Sequence, residues 1–355
     1  MVPTNIHEAL KHPRWRVAVQ EEISALEKNG TWELTKLPHG KSTVGCKWIF
    51  TVKYLADGSI DRFKARLVAN GFTQTYGVDY QETFAPVAKL NTVRVLISLA
   101  VNNDWPLQQL DVKNAFLNGD LTEEVYMTVP PGIENDYNSG KVCKLKKSLY
   151  GLKQSPRAWF ERFSCALKRF GYTQGQSHYT MFFKFASGGK ITILIIYVDD
   201  IVLTGNNSEE MKNLKATLSK EFEIKDLGKL KYFLGMEVAR TRDGVSISQR
   251  KYVLDLLQET GMLGCKPSAT PMEQNMKLEV LKESTLVDKR QYQRLVGKLI
   301  YLSHTRPDIS FPVSVVSQFM HSPTEEHLEV VYRILRYLKM ILGKGFFWET
   351  LKQRH

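Results

Sequence analysis

The stretch ITILIIYVDDIVL (residues 191–203) decides the fold of this chain. It places two adjacent carboxylates, Asp199 and Asp200, between two apolar arms that are rich in β-branched residues. Arms of this kind are typical of buried strands, so the pattern predicts a hairpin with both carboxylates at its turn. Two neighbouring anions repel each other and leave water reluctantly, and a bound divalent cation would relieve both penalties. A turn that uses Asp only for local hydrogen bonds is the alternative.

A third carboxylate, Asp111, lies in the segment LDVKNAFLNG (residues 110–119). An apolar residue precedes it, and a small residue and an aromatic one follow, so we expect Asp111 to end a strand. Two neighbouring strand ends that offer carboxylates to one cleft make a site for two Mg²⁺ ions about 3.5–4 Å apart. Mg²⁺ prefers oxygen ligands and keeps several waters, so few carboxylates suffice. By itself, Asp111 would be interpreted as an ordinary residue at a strand end.

The composition describes a folded protein with a basic surface. Of the 355 residues, 43% are hydrophobic and 24% charged, and 49 Lys and Arg against 37 Asp and Glu give a net charge of +12. This excludes a disordered tail, a collagen-like fibre and a disulfide-rich peptide, and the length predicts two or three subdomains. The basic excess favours a polyanionic partner such as nucleic acid, although composition alone fits a solvated surface excess equally well.

The cysteines and the apolar runs argue against other classes of protein. The four cysteines lie far apart, which argues against zinc fingers and against a disulfide framework, and indicates a reducing compartment. Residues 1–13 lack the apolar core of a signal peptide. The longest purely apolar run is far below the ~20 residues of a membrane span. We therefore expect no membrane insertion.

Residue periodicity predicts an α+β chain. A helical face at 15–26 precedes a hairpin with arms at 46–53 and 60–68. Two helices are predicted with Ser155 and Ser208 as their N-caps, and Pro156 stands at the first helical position of the former. The other predicted segments are a helix at 91–101, strands at 232–238 and 245–248, and helices at 250–260, 289–303 and 323–341, the last opening with the capping-box sequence SPTE (322–325).

Several longer segments occur in the order of one family. Together with YVDD (197–200), they resemble the reverse transcriptase of Ty1/copia-type retrotransposons. The segments are KARLVANGFTQ (64–74), ETFAPVAK (82–89), LDVKNAFLNG (110–119), SLYGLKQSPRAW (148–159), YFLGM (232–236) and RPDI (306–309). The resemblance implies a right-hand polymerase, with fingers and a ferredoxin-like palm of antiparallel sheet and helices over residues 1–248. A helical, thumb- or connection-like region over 249–355 would follow, reached by a linker within 266–288 and truncated before any RNase H domain.

The resemblance also implies roles for individual residues. Asp111, Asp199 and Asp200 would hold two Mg²⁺ ions, or Mn²⁺ in their place, for nucleotidyl transfer, with Asp200 in a less direct role. The backbone carbonyl of Val112 would be a further ligand. Lys64 or Arg66 would bind the triphosphate, with the register between them left open, and Lys225 would donate a proton to pyrophosphate. The residues implied at the nucleotide are Asn114, Ala115, Phe116, Tyr150 and Gly151. The residues implied as the primer grip are Leu234, Gly235 and Met236.

The residue Phe116 bears on the choice of sugar. The small Ala115 lets the backbone approach the nucleotide, and a flat ring at Phe116 would pack under the ribose. A 2′-hydroxyl would collide with that ring and find no hydrogen-bond partner, so the position favours dNTPs over rNTPs. This disfavours an RNA polymerase. An ordinary core aromatic is the alternative interpretation.

The function implied is Mg²⁺-dependent, RNA-directed DNA synthesis. The expected partners are an RNA template, a DNA primer, their RNA–DNA hybrid and dNTPs, in a cytoplasmic retroelement particle if the protein is expressed. The integrase, RNase H and protease parts of a Pol polyprotein are expected in the parent element and absent from this sequence. Two alternatives stay open: a catalytically inactive, nucleic-acid-binding fragment of a decayed element, and a two-metal nuclease. A nuclease would usually need a His or Lys general base, and none of the eight histidines lies near these segments.

Overall fold

The computed structural model describes residues 2–55, 57–241, 243–274, 276, 278 and 285–349. Within these residues the predicted α+β class is confirmed. The helices are α1 (Ile6–Lys11), α2 (Pro13–Lys28), α3 (Leu90–Asn102), α4 (Ser155–Arg169), α5 (Ser208–Glu221), α6 (Arg250–Glu259), α7 (Lys289–Ser303), α8 (Ser310–Ser317) and α9 (Glu325–Met340). The strands are β1 (Trp32–Thr35), β2 (Thr43–Val44), β3 (Cys46–Tyr54), β4 (Ile60–Ala69), β5 (Leu107–Val112), β6 (Asp120–Met127), β7 (Val142–Lys147), β8 (Thr173–Gln174), β9 (Met181–Ala186), β10 (Lys190–Tyr197), β11 (Asp200–Gly205), β12 (Ile224–Lys229), β13 (Tyr232–Phe233), β14 (Met236–Arg240), β15 (Gly244–Ser248) and β16 (Gly345–Glu349).

The chain divides into two compact units, each discontinuous in sequence. The first comprises Met1–Lys89 and Leu110–Leu227, and the second Leu90–Gln109 and Gly228–His355. The limits of these units reflect which residues pack together, and they are not the limits of polymerase subdomains. The predicted division of the chain between residues 248 and 249 therefore stays a prediction. Part of the expected linker, residues 275, 277 and 279–284, lies outside the described residues. No described helix is both long and apolar enough to cross a membrane.

The predicted basic hairpin forms as strands β3 and β4. They pair antiparallel, with Thr51 opposite Lys64 and Ile49 opposite Arg66. Helix α2 packs on this hairpin because its apolar face carries Trp15, whose ring meets that of Phe63 edge to face at 4.7 Å. Successive side chains of β4 point to opposite faces of the hairpin. The apolar ones therefore face α2, and Lys64 and Arg66 lie together on the other face.

The hairpin predicted from residues 191–203 lies near the middle of a six-stranded sheet. The strand order is β12-β5-β11-β10-β9-β8, and β10 and β11 pair antiparallel with Tyr197 opposite Asp200. Residues of β5, β10 and β11 form one buried cluster with helices α4 and α5, which includes Leu110, Leu194 and Trp159. A continuous apolar run is what a strand inside a sheet covered by helices requires.

Three predicted helix caps are wrong by a few residues. Ser155 is the first helical residue of α4 rather than its N-cap, and its hydroxyl donates to the carbonyl of Leu149 at 2.6 Å. Asn207, not Ser208, caps α5, because its side chain accepts from the backbone N–H of Glu210. Asn and Ser are equally good caps, so sequence preference alone did not separate these neighbours.

The third of these caps begins α9. Its capping box joins Thr324 to His327 rather than Ser322 to Glu325. His327 can take the place of the usual Glu or Gln because its Nδ1 accepts from the backbone N–H of Thr324 at 3.0 Å.

The second unit contains the predicted helices and two elements that periodicity missed. Helix α8 is short and apolar nearly all round, which gives no amphipathic pattern. Strand β16 joins the sheet of order β13-β14-β15-β16 by pairing with β15, far away in sequence. Such non-local pairing leaves no local signal in the sequence.

The RPDI segment builds a buried ion pair that we expect to make stability depend on acid pH. Arg306 is 1% exposed, and its guanidinium donates hydrogen bonds to both carboxylate oxygens of Asp308 at 3.0 and 2.8 Å. Burial by itself would raise the pKa of Asp308, but the hydrogen bonds from Arg306 and Tyr337 outweigh it and hold that pKa at about 2. The unfolded value is about 3.9, so the ionised carboxylate stabilises the fold by roughly 2.5 kcal/mol at neutral pH.

We expect Asp308→Asn to lower the free energy of unfolding at pH 7 by roughly 3 kcal/mol, because it leaves Arg306 buried beside a neutral partner. The difference from the parent should shrink as the pH falls from about 4 toward 2, where the parent carboxylate also becomes protonated. Urea unfolding of both proteins at pH 7 and at pH 3 measures this difference in the free energy of unfolding. An equal difference at both pH values would contradict the assigned pKa.

Candidate active site

The turn that carries the predicted carboxylates is tight and strained. Strand β10 ends at Tyr197 and β11 begins at Asp200, which leaves Val198 and Asp199 as the turn. Val198 has a φ of +56°, a conformation that β-branched residues rarely adopt. The indole N–H of Trp159 donates to the carbonyl of Val198 at 2.7 Å and holds it in place. Backbone strain that neighbouring groups maintain in this way is typical of functional sites.

A backbone hydrogen bond brings Asp111 and Asp199 to the same cleft. The N–H of Val112 donates to the carbonyl of Asp199 at 2.8 Å, and both aspartates line a cleft of about 870 Å³. Burial, and then the charge of Asp199, raise the pKa of the Asp111 carboxyl, although nearby cations oppose the shift. The two carboxylates are therefore partly desolvated and repel each other across the cleft.

This donor set fits a hard divalent cation. No three His, Cys, Asp or Glu side chains cluster closely enough to form a metal site by themselves within the part of the chain that the structure describes. Mg²⁺ needs less, because it is commonly bound by one or two carboxylates together with waters and substrate phosphates. Asp111 and Asp199 could supply the carboxylates, and Val112, which lines the same cleft, could offer its backbone carbonyl. Asp200 begins β11 beside them and is not among the residues that line the cleft.

The wall formed by β4 is cationic. Lys64 and Arg66 line the same cleft as Asp111 and Asp199, and they also line a smaller cavity of about 300 Å³ with Tyr150. Burial, and then the charges of Arg66 and Arg62, lower the pKa of Lys64. The buried Nε of Arg66 has no hydrogen-bond partner among the described residues. An anion with several oxygen atoms would satisfy both cations.

Tyr150 connects this cationic wall to the segment after Asp111. The guanidinium of Arg66 lies over the Tyr150 ring at 4.5 Å, and the ring of Phe116 meets Tyr150 edge to face at 5.3 Å. Burial raises the pKa of Tyr150 to about 12, so its hydroxyl stays protonated at neutral pH. Predicted nucleotide-binding residues from three separate segments thus meet at the ring of Tyr150.

Gly151 is required for this contact. Its φ is +93°, and a Cβ at this position would lie 2.1 Å from the carbonyl oxygen of Ala69, at the end of β4. The backbone N–H of Ala69 donates to the carbonyl of Tyr150 at 2.7 Å, which fixes the segment against the strand. Only glycine allows the two backbones to approach so closely.

The segment after Asp111 turns sharply away from the cleft. Asn114 is left-handed, with a φ of +51°, and lines the cleft. Ala115 is buried and Phe116 half-buried, where Phe116 packs at the edge of the core cluster. The interpretation of Phe116 as a sugar gate stays a prediction.

Other basic residues differ in how available they are to bind phosphates. Lys225 is exposed on β12, the strand next to β5, and its charge opposes the raised pKa of Asp111. The segment 144–157 is also rich in lysine and arginine, but most of these cations already have carboxylate partners and are therefore less available to bind phosphates. The ion pairs are Lys144–Glu124, Lys146–Glu33, Lys147–Asp120 and Arg157–Glu123.

Sequence reasoning missed Glu22 on α2. This carboxylate is 6% exposed, lines the cleft and accepts the backbone N–H of Leu67 at 3.3 Å. Burial raises its pKa, and the charges of Arg66 and Lys64 oppose that shift. Its position three residues after Val19 on the buried face of the helix was the available signal, since a charged residue on an apolar face is unusual.

The predicted primer-grip residues lie in the second unit. Leu234 and Gly235 form the two-residue turn between β13 and β14, with φ values of +50° and +71°. Two successive positive φ values are typical of a type I′ hairpin turn. Met236 begins β14 and is buried.

Comparisons with known proteins agree with the predicted family. The family model described as reverse transcriptase (RNA-dependent DNA polymerase) matches residues 29–274. The retrovirus-related Pol polyproteins from transposons RE1 and RE2 of Arabidopsis thaliana are 47% and 45% identical over 346 residues, which is 97% of this chain and 24% of each relative. The Pol polyprotein from transposon TNT 1-94 of Nicotiana tabacum is 42% identical over 353 residues, which is 96% of this chain and 27% of the relative.

The chain spans about a quarter of the length of these curated relatives. In them the matched region is one part of a larger polyprotein. The match includes both carboxylate segments and the basic hairpin, so the resemblance to Ty1/copia-type elements is confirmed. This chain belongs to the reverse transcriptase (RNA-dependent DNA polymerase) family, in the branch carried by the Pol polyproteins of copia-type transposons.

Proposed function

We propose that this chain is an RNA-directed DNA polymerase that extends a DNA primer on an RNA template from dNTPs. The observation that carries the proposal is the cleft of the first unit, in which Asp111 and Asp199 share one space with Lys64 and Arg66. Carboxylates that suit a divalent cation and cations that suit a polyphosphate are the two halves of a nucleotidyl-transfer site. In this proposal, residues 1–248 act as fingers and palm and 249–355 as a thumb- or connection-like region.

Each group of residues has a separate task in this reaction. Lys64 and Arg66 bind the triphosphate, and the ring of Tyr150 holds the guanidinium of Arg66 in place. Asp111 and Asp199 would hold Mg²⁺, with the carbonyl of Val112 and with Asp200 in support. Mg²⁺ bound there would lower the pKa of the primer 3′-hydroxyl and neutralise charge that develops on the phosphate. The Nζ of Lys225 donates a proton to the departing pyrophosphate.

The direct test is incorporation of dNTPs by the purified protein on an oligonucleotide-primed RNA template. We expect product that depends on Mg²⁺ or Mn²⁺, on the primer and on the template. Binding of the hybrid without incorporation would instead favour an inactive remnant. Cleavage of the hybrid without extension would favour a two-metal nuclease.

Binding of an RNA–DNA hybrid should weaken steeply with salt. Lys and Arg contacts to phosphates release condensed counterions, so the logarithm of the affinity falls linearly with the logarithm of the salt concentration. We expect the affinity to fall by at least about a hundredfold between 50 and 200 mM salt, which corresponds to roughly four phosphate contacts. Fluorescence anisotropy with a labelled hybrid measures this slope.

Two lysine variants distinguish a lysine that contacts a phosphate from one that only adds to the net charge of the protein. Lys53→Ala removes an exposed cation of the basic hairpin that lines the cleft, and it should reduce the slope by about one. Lys146→Ala removes a cation already paired with Glu33 at 2.6 Å, and it should leave the slope unchanged. A flat slope in the parent protein would mean that the net charge of +12 is only surface solvation.

The curated relatives are Pol polyproteins, of which this chain spans about a quarter. We propose that the chain works beside integrase, protease and RNase H parts of a Pol polyprotein, within a cytoplasmic retroelement particle.

A further inference from the structure

The Leu234–Gly235 turn rests on a residue of helix α7. The hydroxyl of Tyr301 donates a hydrogen bond to the carbonyl of Leu234. Tyr301 lies outside residues 29–274, the region that the family model matches, whereas the turn lies inside it. A side chain from the helical part of the second unit therefore contacts the tip of the predicted primer grip.

The turn needs such a contact because its backbone is strained at Leu234. This residue has a φ of +50°, which a leucine adopts only at an energetic cost, whereas Gly235 adopts its φ of +71° freely. The strands beside the turn are anchored by burial, since Phe233 and Met236 are 0% and 1% exposed. Burial holds the two arms, and the hydrogen bond from Tyr301 holds the tip.

Two further polar residues lie behind the turn. Gln249 is 2% exposed, and its Oε1 accepts the hydroxyl of Thr305, which is 1% exposed. Its Nε2 lies 3.7 Å from the point that a Cβ of Gly235 would occupy and has no hydrogen-bond partner among the described residues. Polar groups from three places thus lie behind the turn, namely Tyr301 of α7, Gln249 at the start of α6 and Thr305 after the end of α7.

We propose that Tyr301 is a positioning residue for the primer terminus. Its hydroxyl keeps the Leu234–Gly235 backbone in the strained conformation that contacts the primer. The ring is itself fixed by that of Tyr252, whose centroid lies 5.4 Å away at 62°. The inference rests on the proposed function, because it assumes that this turn holds a primer.

The test is Tyr301→Phe, which removes the hydroxyl and leaves the ring. We expect the KM for primer–template to rise roughly fivefold, the change that one net hydrogen bond produces, while the KM for dNTP stays unchanged. Tyr252→Phe is the matched control, since it makes the same change on the neighbouring ring and leaves the hydrogen bond from Tyr301 to Leu234 in place, so it should alter neither constant. Thermal melting of both variants should agree within a few degrees, which excludes a general loss of folding.

A second readout keeps the inference testable apart from catalysis. The Kd of the protein for a primer–template without dNTP should rise for Tyr301→Phe and not for Tyr252→Phe. A parent protein that binds but does not incorporate would refute the proposed activity, and this Kd would still decide the role of Tyr301. Equal effects on the KM for dNTP and for primer–template, or an unchanged Kd, would overturn the inference.

Discussion

Replacing Asp199 with asparagine should abolish nucleotide incorporation and leave the fold intact. The amide keeps the size of the side chain but loses the negative charge, and loss of a charged metal ligand costs several kcal/mol, or at least about a thousandfold in rate. The turn itself should survive, because backbone carbonyls hold it: that of Asp199 accepts from Val112, and that of Val198 accepts from Trp159. Asp111→Asn should behave in the same way.

The same substitution should raise thermal stability in the absence of Mg²⁺. After burial, the charge of Asp199 is the main cause of the raised pKa of Asp111, so the two carboxylates repel each other in the folded protein. Removing one charge removes that repulsion. Asp136→Asn, an exposed position between β6 and β7, is the matched control and should change neither activity nor melting temperature. Incorporation by Asp199→Asn within about tenfold of the parent would refute the two-metal assignment.

Local pattern was sufficient to predict the elements that carry the site. The apolar arms around Asp199 became β10 and β11, and the basic stretch 60–68 became β4. Both predictions succeeded because a strand in a sheet usually alternates or is apolar throughout, and 193–196 is apolar throughout whereas 62–67 alternates. The turn itself was predicted one residue too late, because Val198 and Asp199 form it and Asp200 already begins β11, paired with Tyr197, rather than sharing the turn with Asp199.

Tertiary contacts could not be predicted in the same way. The hydrogen bond between Val112 and Asp199 joins strands that are distant in sequence, and the family resemblance, not the pattern, implied their proximity. Glu22 becomes part of the cleft only when α2 packs on β4. Strand β16 likewise depends on a partner about a hundred residues earlier. The caps of α4 and α5 were missed for a smaller reason, since adjacent polar residues compete for one position.

Replacing Phe116 with valine should relax the choice between dNTPs and rNTPs. Its ring packs edge to face on Tyr150, which also lies under Arg66, so it stands beside the side chains proposed to bind the nucleotide. A ribose above this ring would bury its 2′-hydroxyl against carbon without a hydrogen-bond partner, at a cost of roughly 1–3 kcal/mol. Valine would leave space for the hydroxyl, so the rNTP:dNTP ratio of kcat/KM should rise about 10- to 100-fold, mainly through better use of rNTPs.

The control for this substitution is Phe160→Val on α4. Phe160 packs half-buried against the same core cluster as Phe116, so both variants lose the same volume from the same core. Both should therefore lose similar stability, because the cost of such a truncation depends on the space left behind. Only a residue beside the sugar can change the ratio between two substrates that differ by one hydroxyl. If Phe116→Val and Phe160→Val give the same rNTP:dNTP ratio as the parent, Phe116 is a core aromatic, and the preference for deoxynucleotides must arise elsewhere in the cleft.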